Sequence, residues 1–165
     1  VDSGTPCQGA AKTPPNLMKD PSFECGDGPV WSAQMGDVDT AAEGRTGTKS
    51  VRGTASATGA LSFGVSSVVT STSGMPYCIN LWLKGTATDA RYEVLPSVGG
   101  QAYSFSPPVT GSWERAPLAS NLKLPVAAGA SLSLRVRIIN GQPGQTIFID
   151  DIDLWESTSG NCDER

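Results

Sequence analysis

A chain of 165 residues is the size of one domain with a real core, and too short for two ordinary ones. Sixteen acidic residues against twelve basic ones leave a formal net charge of -4, which argues against a nucleic-acid or anionic-membrane binder, since both need a basic surface. Histidine is absent, which removes Ser-His-Asp and Cys-His catalysis, His-ligated zinc or copper, and the commonest general base.

Residues 1–15 are rich in Gly, Pro, Thr and Ala without the alternation of a strand, so they read as an N-terminal arm; 156–165 read as a C-terminal tail. No apolar run approaches the roughly 20 residues that span a bilayer, and the opening residues lack the charged and apolar regions of a signal peptide. Cys7, Cys25, Cys78 and Cys162 show no Cys-x-x-Cys spacing, so two disulfides in a secreted protein are expected, with three pairings open.

Between arm and tail, short apolar alternations separated by Gly, Pro, Ser and Thr recur about every ten residues, which predicts an all-β fold. Strands are expected at 50–53, 61–69, 77–84, 91–94, 101–106, 114–124, 131–138 and 146–155. In the third of these a period of two places Tyr77, Ile79, Leu81 and Leu83 in the core and Cys78, Asn80, Trp82 and Lys84 on the other face. Tyr92 and Val94 point inward, with Arg91 and Glu93 outward. Leu132, Leu134, Val136 and Ile138 point inward, with Ser133, Arg135 and Arg137 outward. Asn140-Gly141 and Gly99-Gly100 are hairpin-type dipeptides. No internal repeat is found.

The segment Asn16-Leu-Met-Lys-Asp-Pro-Ser-Phe-Glu-Cys-Gly26, followed by Trp31, and the segment Ile147-Phe-Ile-Asp-Asp-Ile-Asp-Leu154 carry a family signal. They resemble the opening and closing strands of jelly-roll carbohydrate-binding modules of the family 4, 9 and 22 type, which run roughly N-L-x-x-N-P-S-F-E-x-G and Y-I-D-D-V-x-L. Ser62 to Ser67, Gly74-Met-Pro-Tyr77 and Trp113 are similar to further motifs of that family in the same order. The resemblance spans 16–155 and implies a β-sandwich jelly roll of two antiparallel sheets. Asp20 stands where the family usually has Asn.

The resemblance also implies a structural calcium on the rim, held by Glu24 and Asp150, with carbonyls from the Gly44 to Lys49 turn, since calcium wants six to eight hard oxygens. Neighbouring carboxylates at strand ends need a cation or a shared proton, or else are simply solvated. A catalytic pair of carboxylates finds no other support in the chain.

Sugar rings stack on exposed aromatics while polar side chains take the hydroxyls. Trp82 fits best, sharing its strand face with Asn80 and Lys84. Neighbouring strands would add Arg91, Glu93, Arg135 and Arg137, and Tyr103 is a second aromatic candidate. Alternatively Trp82 is buried beneath a loop or the arm. Trp31 and Trp113 stand where the resembled family uses tryptophan for packing or for the edge of the cleft, which favours structural roles, and Trp155, ending the last strand, reads as structural. A groove lined by Lys84, Arg91, Arg135 and Arg137 would suit acidic glycans, unless these residues pair with Glu93 and other carboxylates as ordinary surface charge. In a jelly roll of this type the arm and tail leave from one end, which implies Cys7–Cys162, with Cys25–Cys78 as the other bond.

The expectation is a secreted, monomeric, non-catalytic module that binds polysaccharide or oligosaccharide on a concave aromatic and polar face. It would carry a structural calcium and accompany a glycoside hydrolase, with neither nucleic acid nor membrane as partner. The alternative is a surface or matrix structural or adhesion domain of the same fold with no glycan site.

Overall fold

A computed structural model describes residues 15–18, 20–26, 30–56, 59–70, 76–87, 89–96, 103–106, 109–116, 127–157 and 162. Ten strands are described: β1 (Ser32–Gln34), β2 (Gly36–Ala41), β3 (Ser50–Ala55), β4 (Gly59–Thr70), β5 (Tyr77–Gly85), β6 (Ala90–Pro96), β7 (Tyr103–Phe105), β8 (Glu114–Ala116), β9 (Ser131–Gly141) and β10 (Thr146–Glu156). They form two five-stranded sheets, ordered β1-β4-β9-β6-β7 and β2-β3-β10-β5-β8. Every pairing is antiparallel.

The core lies between the sheets, filled where the period of two predicts. Tyr77, Ile79, Leu81 and Leu83 of β5 face Leu132, Leu134, Val136 and Ile138 of β9, joined by Ile147, Ile149, Ile152 and Leu154 of β10. Each fully buried aliphatic side chain contributes about 1.5–3 kcal/mol, so these strands carry much of the stability. The side chains of Tyr92 and Val94 lie outside the described residues.

Three local expectations need correction. The segment 16–26 is not a strand: Asp20 and Phe23 adopt φ of 45° and 61°, left-handed values that break any ladder. It nevertheless lies along β10, through Leu17 N–H to Leu154 C=O, Ile152 N–H to Pro21 C=O, and the Asn16 amide to Ile152 and Leu154. The Asn140-Gly141 pair ends β9 rather than turning; the hairpin turns at 142–145, where Gly144 takes φ of 83°. Strands β1 and β2 were not expected, because 32–41 is mostly polar and lies at exposed sheet edges. Residues 117–124 and the Gly99-Gly100 dipeptide fall outside the described residues.

The disulfide pairing also differs. Cys78 bonds Cys162 at a sequence separation of 84. Cys25 is in a disulfide too, so Cys25–Cys78 and Cys7–Cys162 are both excluded. Glu156 pairs with Tyr77 and Ser157 N–H bonds Pro76 C=O, so the tail leaves β10 beside the start of β5, next to Cys78. Trp155 packs with both cysteines, buried and structural as expected.

Candidate functional site

The outer face of the second sheet carries the aromatic and charged side chains. Trp82 and Lys84 alternate with buried Leu81 and Leu83 and so point away from the core. Strand register aligns Asp39, Arg52, Phe148 and Lys84 in one row across β2, β3, β10 and β5. At about 4.8 Å per strand the row spans about 14 Å. Lys84 Nζ lies 5.0 Å from the Trp113 ring centre and 5.1 Å from that of Phe148, and pairs with Glu43. Trp82, Trp113 and Phe148 are each half-buried, leaving ring area to solvent.

Among the described residues, the 44–49 turn covers Trp82 through Arg45. The Arg45 guanidinium lies 3.6 Å over its ring, and Arg45 Nη1 is held 2.5 Å from Asp151 Oδ2. The base of this arrangement is a bulge in β10. Asp150 aligns with Trp82 and Asp153 with Asn80, so β10 spends one extra residue over that interval. Asp151 sits there at φ of 48° and aims outward, while Asp150 is fully buried.

Several expected site residues lie elsewhere. Asn80 is 6% exposed, at the end of β5 that the Cys78–Cys162 bond and Trp155 cover, so it offers no open polar group to a ligand. Arg91, Glu93, Arg135 and Arg137 do not share the Trp82 face. They belong to β6 and β9 of the first sheet, on the opposite outer surface of the sandwich. Tyr103 is in β7 at the edge of that sheet, with its side chain outside the described residues. A groove of four basic residues therefore never assembles.

On the first sheet Glu93 is clamped, with Arg135 Nη2 at 2.5 Å and Arg137 Nη1 at 3.2 Å. Burial pushes the Glu93 carboxyl up, but these guanidiniums outweigh it and hold it below the usual range. Glu93→Gln is expected to cost about 1–2 kcal/mol in urea unfolding at neutral pH, a figure discounted for the exposure of both arginines. A lowered carboxyl stabilises the fold above its unfolded value near pH 4.3 and loses that contribution as pH falls through the folded value. The gap between wild type and variant should therefore close below about pH 4; a gap that widened on acidification would contradict the clamp.

Glu24 and Asp150 both grip the 44–49 turn. Glu24 accepts N–H bonds from Thr48 at 2.6 Å and Lys49 at 2.7 Å, and the Thr48 hydroxyl at 3.0 Å. Burial raises the Glu24 carboxyl, but these bonds hold it below its usual range. Asp150 Oδ2 accepts N–H bonds from Arg45 at 2.6 Å and Thr46 at 3.2 Å, and Oδ1 accepts from Asp151 at 2.8 Å. Burial, then the charge of Asp151, push the Asp150 carboxyl up to about 7 against those bonds. At Gly44 an added Cβ would meet the carbonyl oxygens of Thr46 at 2.6 Å and Lys49 at 2.7 Å, so two main-chain oxygens converge on that glycine. At Gly47, with φ of 71°, an added Cβ would meet Glu24 Oε1 at 2.4 Å.

Two members of the outer-face site, Phe148 and Arg45, escaped the sequence reading, and a third, Trp113, was placed only at packing or the edge of the cleft. Phe148 was legible, because the alternation Ile147-Phe148-Ile149 sends it opposite to two buried isoleucines. Trp113 precedes a three-residue strand, too short to show a face. Arg45 is distant in sequence from Trp82, and no local pattern marks their contact.

No family profile and no curated protein matches the chain. Solved structures do. A family 61 carbohydrate-binding module, TmCBM61 in complex with β-1,4-galactotriose, is 21% identical over 86% of this chain and 99% of its own, at a TM-score of 0.61. The CBM22-1 xylan-binding domain of Paenibacillus barcinonensis Xyn10C is 19% identical over 82% of this chain and 90% of its own, at 0.56. The arabinose-bound α-L-arabinofuranosidase MgGH51 matches 85% of this chain at 16% identity and 0.62, over only 26% of its own length. The chain has the β-sandwich jelly-roll fold of carbohydrate-binding modules, as its end motifs imply.

Proposed function

We propose that this chain is a non-catalytic carbohydrate-binding module that holds polysaccharide on the outer face of its second sheet. The observation that carries this reading is the row Asp39, Arg52, Phe148 and Lys84, flanked by Trp82 and Trp113. It sets half-exposed rings among charged groups on a flat antiparallel surface. Rings take sugar C–H faces and the charges take hydroxyls. Glu24 and Asp150 both brace the 44–49 turn through its N–H groups, which supports a structural role for them over acid–base work. The chain acts extracellularly as a monomer beside a glycoside hydrolase, in keeping with the fold's occurrence inside the longer arabinofuranosidase chain.

The 44–49 turn suits a structural calcium. Glu24, Asp150 and the carbonyls of Thr46 and Lys49 would hold it, and further carbonyls or water would complete six to eight oxygens, because no three acidic, Cys or His groups converge among the described residues. The cation would supply positive charge beside a buried carboxyl and tie the turn to β10.

Retention on immobilised neutral and acidic polysaccharides tests the reading. Trp82→Ala and Trp113→Ala should each weaken retention on the order of tenfold, because losing one stacked ring costs about 1 kcal/mol or more. One observation favours the other reading, a structural or adhesion domain without a glycan site: Arg45 occupies the ring surface that a sugar would use. Arg45→Ala separates the two. Tighter retention follows if Trp82 is a platform, whereas no retention by wild type or variant follows if the face is not a glycan site.

A further inference from the structure

A cavity of about 250 Å³ opens at the edge strand β2, beside residues 20–26 and 30–31, apart from the rings of Trp82 and Trp113. Phe23 and Trp31, packed edge to face at 6.0 Å, line one side; Val38 and Val51 line another. Asp20 lies in its wall at 3% exposure, its carboxylate held by N–H groups of Cys25 and Gly26. Asp39, about half exposed, is also among the lining residues.

We propose that this cavity is a second saccharide site that takes a single neutral pyranose, the terminal residue of a glycan chain. Its size is below the roughly 300–1,000 Å³ of sites for drug-sized ligands and suits one ring. Aromatic and valine walls match the C–H surface of a pyranose, and carboxylates accept hydroxyls from donors fixed on a rigid ring. Among the described residues the charge pattern favours neutral over uronic or sulfated sugars. Two aspartates line the cavity, and the nearby cation Arg52 is committed to both oxygens of Asp39. That pairing holds the Asp39 carboxyl below its usual range, so it stays an acceptor at neutral pH.

A cavity of about one ring's volume at a sheet edge suits one sugar residue rather than a length of chain. Asp39 is also the first member of the row that crosses the second sheet to Lys84. A chain lying along that row would reach the cavity with its terminal residue. The held geometry of Phe23, a bulky residue at φ of 61°, fits a wall kept in place for a purpose.

The inference rests on the glycan-binding reading only for the identity of the ligand, and the test keeps the two apart. Amide and indole shifts of the ¹⁵N-labelled protein are followed during titration with methyl glycosides of neutral hexoses and pentoses, with methyl glucuronide alongside. The expected result is saturable shifts at Phe23, Trp31, Val38 and Asp39 with at least one neutral glycoside and none with the glucuronide. These shifts should persist in Trp82→Ala and weaken at least tenfold in Val38→Phe, which fills the cavity. The wild-type mapping decides the matter even if Val38→Phe folds poorly. No saturable shift at those residues with any neutral glycoside, equal shifts with the glucuronide, or shifts that vanish in Trp82→Ala would overturn the proposal. Polysaccharide retention through Trp82 with a silent cavity sinks this inference alone; a responsive cavity with no polysaccharide retention sinks the outer-face reading alone.

Discussion

Replacing Cys78 and Cys162 together by alanine is expected to lower the unfolding free energy by about 4 kcal/mol. The bond closes a separation of 84 residues, for which the chain-entropy estimate is about 4.5 kcal/mol, and natural disulfides in small secreted domains are commonly worth about 2–5 kcal/mol. Both cysteines pack on Trp155, so some loss from looser packing adds to the entropy released in the unfolded chain. Urea unfolding with Cys25 left untouched should show a lower midpoint. An unchanged midpoint would show that β5 and β10 hold the tail without the bond. Peptide mapping without reductant should recover the fragments containing Cys78 and Cys162 as one linked species.

Removing the calcium proposed for the 44–49 turn should have the second largest effect. A cation held at about a hundred times its dissociation constant stabilises a fold by about 2.7 kcal/mol. For a domain of this size that corresponds to roughly 5–10 °C in Tm. The wild-type protein is therefore expected to melt that much lower in chelator than in excess calcium, read by calorimetry. Glu24→Gln and Asp150→Asn should each abolish the calcium response. Glu24 is partly exposed, so its variant reports the cation without the packing loss that changing a fully buried Asp150 brings. Identical melting of wild type in both buffers would leave the Asp150 carboxyl supported by its three N–H bonds alone.

The two predictions sit on one structural hinge, the strand β10. Its lower half anchors the disulfide through Trp155, and its bulge aims Asp150 at the 44–49 turn while turning Asp151 toward Arg45. Calcium at the turn and a ligand at Trp82 would therefore meet through Arg45, whose N–H bonds Asp150 and whose guanidinium covers the ring. Any difference in ligand affinity between calcium-loaded and chelated protein would be matched by an equal change in calcium affinity on adding glycan.

The strands, their inward faces and the all-β class were legible in the chain because they depend on neighbours two residues apart. Leu81 and Leu83, or Leu132 to Ile138, announce their burial by alternation alone. The link between the first motif and the last came from the family resemblance rather than from alternation, and Glu24 and Asp150 do bond the same turn. What alternation could not say is which outward residues share a surface. Trp82 and Arg135 both point out, yet they stand on opposite sides of the sandwich, because β5 and β9 belong to different sheets.

By itself, then, the sequence determined the local periodicities: ten-residue spacing, a period of two, and end motifs that imply a jelly roll. The tertiary structure alone decided strand order, the Cys78–Cys162 bond, the Arg45 cap on Trp82 and the cavity between Phe23, Trp31 and β2. The physical reason is sequence distance. Each of those features joins residues that only the docking of the two sheets and their connecting turns brings together, and that docking is set by the summed burial of the whole core rather than by any local pattern.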